Sequence, residues 1–229
     1  VKITPPLSPE LLEYLQTFLM QERINRFEEI LALRTRHLCV VLENTIDTQN
    51  INAVMRSAEC FGIQDVHIIN NGIKYKPAKK VLQGADHWLT INSYKEAENN
   101  TKDCITDLKS RGYKIVATTP HNNYKSVSSL DISTPIAVFF GQEREGISNI
   151  VRDNADEFVI IPMQGFTESF NISAAAAIML YELSKNIRNS TVNWQLSAEE
   201  KFELRSKWTL QSIYKSELII QRFLSEKTE

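Results

Sequence analysis

Three stretches of this chain place polar residues where a ligand could be held. Gly141-Gln142-Glu143-Arg144-Glu145-Gly146 follows the apolar run 136–140, and Gly165-Phe166-Thr167-Glu168-Ser169-Phe170-Asn171-Ile172-Ser173 follows the run 157–161. Glycine suits positions where φ is positive or where a ligand must approach the backbone closely. Gly141, Gly146 and Gly165 are three of only seven glycines, so turns at the ends of these two buried strands point to a ligand site at that end of a sheet. The third stretch, Asp47 to Gly62, begins just beyond the apolar run 38–43. At helical spacing Ile51, Val54, Ala58 and Phe61 share one face, and Gln49, Asn52, Arg56 and Glu59 share the other. That polar face reads either as solvated, with Arg56 pairing to Glu59 at i,i+3, or as part of a site. A polar helix start just past a parallel strand favours the second reading. Ser169, Asn171 and Ser173 read in turn as N-caps of the helix that follows. Free N–H groups at a helix start also favour a ligand's carboxylate, so capping and binding are compatible.

These stretches are set among alternating strands and helices. Strands are expected at 38–43, 66–70, 88–91, 114–119, 136–140 and 158–161, with helices at 50–61, 97–110, 148–153 and 172–186. Such alternation specifies an α/β fold with a mostly parallel sheet and helices on both faces. Ala174-Ala175-Ala176-Ala177 would let another backbone approach the 172–186 helix closely, which puts it at the centre or at an interface. Two amphipathic helices are expected before the sheet, the first capped by Ser8 with Pro9 at its first position. After a polar linker, Ser197-Ala198-Glu199-Glu200 is a capping box that starts a terminal helix carrying Phe202, Leu204, Trp208, Ile213 and Leu218. The organisation is a helical extension over 1–37, an α/β domain over 38–188 and a second helical extension over 189–229.

Composition narrows the class. Hydrophobic residues at 42% and charged residues at 24% allow an ordinary globular core. No apolar run reaches membrane-spanning length and no secretory signal is seen, so a cytoplasmic protein is expected. The net charge of −2 does not announce a nucleic-acid binder, and any such role must rest on local patches. Cys39, Cys60 and Cys104 lack CxxC spacing and the four histidines form no HExxH pattern, so neither a disulfide framework nor a metal site is expected. No GxGxxG follows a strand and no GxxxxGK[ST] occurs, which removes the dinucleotide and P-loop classes.

Asn50 with Arg56 six residues on, Gly141-x-Glu143-x-x-Gly146, and Ile161-Pro162-Met163-x-Gly165 with Glu168 to Ser173 together resemble the three motifs of the TrmH/SpoU methyltransferases, part of the SPOUT superfamily. The likeness spans about Leu38 to Leu183, and the order and spacing of three motifs make it specific. It implies a SPOUT-type fold with a C-terminal deep trefoil knot. S-adenosylmethionine would be held by three loops, through Thr118, Thr119, Gly141, Ile161, Met163, Ser169, Phe170 and Asn171. It implies a homodimer in which Arg56 of one subunit faces the methyl donor of the other. Arg56, Asn50, Glu143, Ser169 and Asn171 would form the catalytic set, and no metal is called for. Asn52 and Phe170 stand where the family often has glycine or serine, and leucine. Phe170 would reshape the adenosine pocket.

The reaction implied is in-line methyl transfer to a ribose 2′-hydroxyl of RNA, with proximity supplying much of the rate. An arginine with a pKa above about 12 is a poor free base. Arg56 is therefore expected to bind the phosphate beside the target ribose and to orient the hydroxyl through its planar fork. For RNA contact the expected residues are the run Lys74, Lys76, Lys79 and Lys80, and Arg26, Arg34 and Arg36 near the first extension. The two helical extensions favour tRNA over ribosomal RNA, and the resemblance implies the D-loop guanosine of position 18 as the target. A non-catalytic RNA-binding module on the same scaffold is the alternative of another class, and retention of all five polar residues weighs against it.

Overall fold

The computed structural model describes residues 5–72, 84–119 and 125–226. The run Lys74, Lys76, Lys79 and Lys80 lies outside the described residues. The chain divides into two units, Thr35–Trp194, and Val1–Arg34 together with Gln195–Glu229.

The larger unit is built on seven strands: β1 (Leu38–Glu43), β2 (Asp65–Ile69), β3 (Thr90–Tyr94), β4 (Lys114–Thr118), β5 (Lys125–Ser126), β6 (Ile136–Phe140) and β7 (Glu157–Ile160). Every pairing is parallel, in the order β3-β2-β1-β6-β4-β7-β5. Strands covered on both faces read as continuous apolar runs, and β1, β2 and β6 are buried along their whole length. Alternation divides them between two cores. Leu38, Val40 and Leu42 of β1 and Val138 and Phe140 of β6 pack on one face, with Ile51, Val54 and Ala58 of one helix (Thr48–Cys60) and Ala176, Met179 and Leu180 of another (Ile172–Asn189). Cys39, Val41 and Phe139 point to the other face, against Cys104, Ile105 and Leu108 of the helix Asn100–Ser110 and Val151 of the helix Asn149–Asn154.

The strand expected at 88–91 lies later, at Thr90–Tyr94, because Ala85–Trp88 forms a short helix instead. β3 is a sheet edge whose residues are only half covered, so the apolar pair Trp88-Leu89 misled the reading. The two-residue strand β5 has no signature of its own and forms by pairing with β7. Of the four alanines, Ala176 is fully buried and Ala174 is exposed. Asn52, placed by its spacing on the polar face of its helix, is 0% exposed.

In the smaller unit, Ser8 caps the helix Pro9–Gln16, whose Leu11, Leu12 and Leu15 pack with Leu7 and Ile220. A second helix covers Gln21–Leu31. The expected capping box is formed at Ser197 and Glu200 and starts the helix Ala198–Ser212. The single terminal helix of the sequence reading is interrupted at Lys215, where φ is 52°, and resumes as Ser216–Glu226. Arg34, expected to meet RNA, is 1% exposed with its guanidinium over the Trp208 ring at 5.6 Å, so it does not present its charge to a partner. No helix among the described residues is long and apolar enough to cross a membrane.

His67 of β2 is buried beside Tyr94, its Nδ1 3.1 Å from a hydroxyl that donates to Asp107. Burial lowers its pKa from 6.5 to about 4, so the native ring is neutral where the unfolded chain would take a proton. Its contribution is complete above pH 6.5 and is lost as pH falls toward 4. Urea unfolding should show on the order of 3 kcal/mol of lost stability over that window. A His67→Gln variant should lack this part of the slope, and an unaltered slope in it would refute the assignment.

Candidate active site

The C-terminal ends of β4, β6 and β7 open onto a cavity of about 370 Å³. Parallel sheets bind ligands at this edge, where loops leave the strands. Three segments line it: Thr118 and Thr119 at the end of β4, the turn Gly141–Ile147 after β6, and residues between Ile161 and Ile172 after β7. The Thr118 hydroxyl donates to the Phe139 carbonyl at 3.0 Å, which joins the first segment to the strand that carries the second.

The β6 turn is closed by reciprocal backbone hydrogen bonds of 2.9 Å between Gln142 and Gly146. Gly146 adopts a positive φ of 69°, and Gly141 is needed for a different reason. A Cβ on Gly141 would fall within the backbone of Gly146 and Ile147. Both glycines thus serve the turn itself. Gly165 has neither a positive φ nor close neighbours, so nothing in its surroundings requires it.

One polar residue from each of the three sequence stretches, Asn50, Glu143 and Asn171, meets at the Glu143 carboxylate. Its Oε1 accepts from Asn50 Nδ2 at 2.6 Å and from Asn171 Nδ2 at 3.1 Å. Asn171 Nδ2 also reaches Asn50 Oδ1 at 3.2 Å. Each carboxamide is held from its own side as well. Asp47, the N-cap of the Thr48–Cys60 helix, accepts from Asn50 at 3.3 Å, and Asn171 Oδ1 caps the Ile172–Asn189 helix at Ser173 N, 2.8 Å away. Two helix starts and one glycine turn are thereby fastened to a single carboxylate oxygen. Oε2 of Glu143 has no hydrogen-bond partner among the described residues, and Glu143 lines the cavity.

Of the residues expected from sequence, Thr118, Thr119, Gly141, Glu143, Ile161, Met163, Ser169 and Phe170 line the cavity. Asn50 and Asn171 join it through Glu143. Arg56 is not among the lining residues; it is exposed and makes no ion pair or hydrogen bond among the described residues. Arg144, Glu145 and Arg152 also line the cavity, and the sequence gives none of them a role of its own. Their nearness to a glycine turn was the available signal. Arg26 is exposed and paired with Glu29 at 2.9 Å, whereas Arg36 is drawn to the buried Asp65 at 3.2 Å, which Arg111 also meets at 3.1 Å. An arginine committed to a buried carboxylate is a poor candidate for RNA phosphate, so Arg36, like Arg34, is withdrawn from that set. Among the described residues no group of His, Cys, Asp and Glu is arranged to hold a metal ion.

Known proteins share this architecture. The chain is 40% identical to a tRNA (guanosine(18)-2′-O)-methyltransferase of Borreliella burgdorferi over 199 residues, 87% of this chain and 89% of that protein. An Aquifex aeolicus protein of the same description is 28% identical over 207 residues, 89% of this chain and 95% of its own length. The crystal structure of the A. aeolicus TrmH/SpoU tRNA modifying enzyme superposes with a TM-score of 0.74 at 27% identity, covering 85% of this chain and 98% of that one. Residues 37–181, which hold every segment of the cavity, match the SpoU rRNA Methylase family, and the chain belongs to it.

Proposed function

We propose that this protein is an S-adenosylmethionine-dependent methyltransferase that modifies a ribose 2′-hydroxyl of tRNA, at the D-loop guanosine of position 18. The observation that carries the reading is the junction of Asn50, Glu143 and Asn171 at the rim of the cavity, in a chain of this family. Relatives matched across most of their length, and named for that reaction, support the choice of tRNA.

The residues present fit the methyl donor. The cavity is within the usual ligand range of about 300–1,000 Å³, and its lining divides by chemistry. Ile161, Met163, Phe170 and Met179 offer apolar surface for the adenosine. Glu143, Glu145 and Glu168 suit the donor's positive groups, and Arg144 and Arg152 suit its carboxylate. When bound, S-adenosylmethionine supplies an electrophilic methyl group on a sulfonium.

The chain's own task is to bring the ribose into line. Glu143 fixes the Asn50 and Asn171 carboxamides, so the rim is ordered before RNA arrives and little reorganisation is needed. Arg56 stands about one and two-thirds helical turns beyond Asn50, free to grip a phosphate and orient the adjacent hydroxyl. Because it does not line its own subunit's cavity, the reading places it against the cavity of a second copy in a cytoplasmic homodimer. The knotted threading implied by the motifs belongs to the same reading, as do RNA contacts from Arg26 and the lysines at 74, 76, 79 and 80.

Incubation with methyl-labelled S-adenosylmethionine and either total tRNA or ribosomal RNA, followed by mapping of the modified nucleotide, tests this directly. Label at the 2′ position of tRNA guanosine 18 is expected. Label confined to ribosomal RNA would replace the substrate, and cofactor binding without transfer to any RNA would favour a non-catalytic module.

A further inference from the structure

Glu43 ends β1 with a carboxyl that is 1% exposed and lies outside the cavity lining. Burying a carboxylate is costly unless hydrogen bonds replace its water, and an apolar residue such as the preceding Leu42 would close the strand without that cost. Three donors offset it. Thr101 Oγ1 and Ser148 Oγ both donate to Oε1 at 2.7 Å, and the Ser148 backbone N–H donates to Oε2 at 2.9 Å.

The value of this grip lies in where Ser148 sits. It is the first residue after the turn Gly141–Ile147 and the N-cap of the Asn149–Asn154 helix. The turn begins after Phe140, which pairs in register with Leu42, the neighbour of Glu43. The exit of the turn is therefore tied to the strand beside its entry. Between these ends the turn carries Glu143, which joins Asn50 and Asn171. Thr101 anchors the same carboxylate to the Asn100–Ser110 helix, so the exit is referred to the body of the sheet and not to the loop alone.

We propose that Glu43 is a positioning residue: through Ser148 it holds the glycine turn in its ligand-receiving shape and so sets the affinity for S-adenosylmethionine. This rests on the methyl-donor reading above. Glu43→Gln keeps the size but turns one acceptor into a donor, so the Ser148 N–H and two hydroxyls compete for one oxygen. Ser148→Ala removes the hydroxyl from the other side, and with it the cap on Val151 N at 3.3 Å, so Ser148→Thr, which can keep both bonds, serves as its control.

The test measures S-adenosylmethionine Kd by calorimetry, and KM for cofactor and for tRNA, in both single variants and the double variant. Each single change should raise cofactor Kd and KM about three- to tenfold and leave the KM for tRNA unchanged. The double variant should show less than the product of the two effects, because both break one contact. Ser148→Thr, which retains the hydroxyl, should bind as the wild type does. Wild-type affinity in both Glu43→Gln and Ser148→Ala, whatever their melting temperatures, overturns the proposal, and so do fully multiplicative effects. Failure of the wild type to bind S-adenosylmethionine defeats the methyl-donor reading and this proposal with it. Binding without RNA methylation defeats only the assigned reaction and leaves the affinity comparison valid.

Discussion

Arg56→Lys is expected to lower kcat by about a hundredfold or more while S-adenosylmethionine binds as tightly as to the wild type. The two halves of that result have separate causes. Arg56 is exposed, bonded to nothing among the described residues, and absent from the cavity lining, so its replacement disturbs neither the turn nor the sheet. What lysine cannot reproduce is the planar fork that can hold two oxygens at once. Single-turnover methylation of tRNA gives the first half and calorimetry gives the second. Turnover near the wild-type rate would remove Arg56 from the reaction, and a large loss of cofactor affinity would make it a cofactor ligand instead. Mixing Arg56→Lys subunits with Asn171→Ala subunits adds a check on the homodimer, because a site shared between subunits should regain activity in the mixture.

Gly141→Ala should act at the other end of the problem. The added Cβ meets backbone atoms of Gly146 and Ile147, which cannot step aside as a flexible side chain could. Overpacking of this kind costs about 1–3 kcal/mol. Here it falls on a turn closed by two hydrogen bonds between Gln142 and Gly146. The turn must open, and Glu143 moves with it. S-adenosylmethionine affinity is therefore expected to drop by more than about tenfold, with a lowered melting temperature. The contrast with Gly165→Ala sharpens the test, since a Cβ there meets only Thr167 N at 4.0 Å. Equal effects at the two glycines would contradict the steric account.

Legibility in the sequence followed burial. β1, β6 and β7 lie within the sheet and can be read from their apolar runs, because covered faces call for apolar side chains along most of each strand. β3 and β5 lie at the edges, where pairing and not composition decides the strand. The one was misplaced and the other missed. In the site, the glycine turns and the residues Asn50, Glu143 and Asn171 stood out by type and spacing, and the structure brings those three together. That they share one carboxylate oxygen could not be read, since no local rule links them. The burial of Arg34 over Trp208 and the pairing of Arg36 with buried Asp65 depend on residues far away in the sequence, so neither is legible from a run of basic residues. Glu43 gave no signal, because it reads as the last residue of the 38–43 strand and no local pattern links it to Ser148 or Thr101.

The bonds that join Asn50 to Glu143 and to Asn171 connect positions 93 and 121 residues apart. In an all-parallel sheet such long-range closures come late, because each must first overcome the entropy of the chain between. No single helix or hairpin can therefore assemble the rim ahead of the rest. Recovery of ligand binding during refolding would mark completion of the whole topology, and a partly folded chain would have no partly working site.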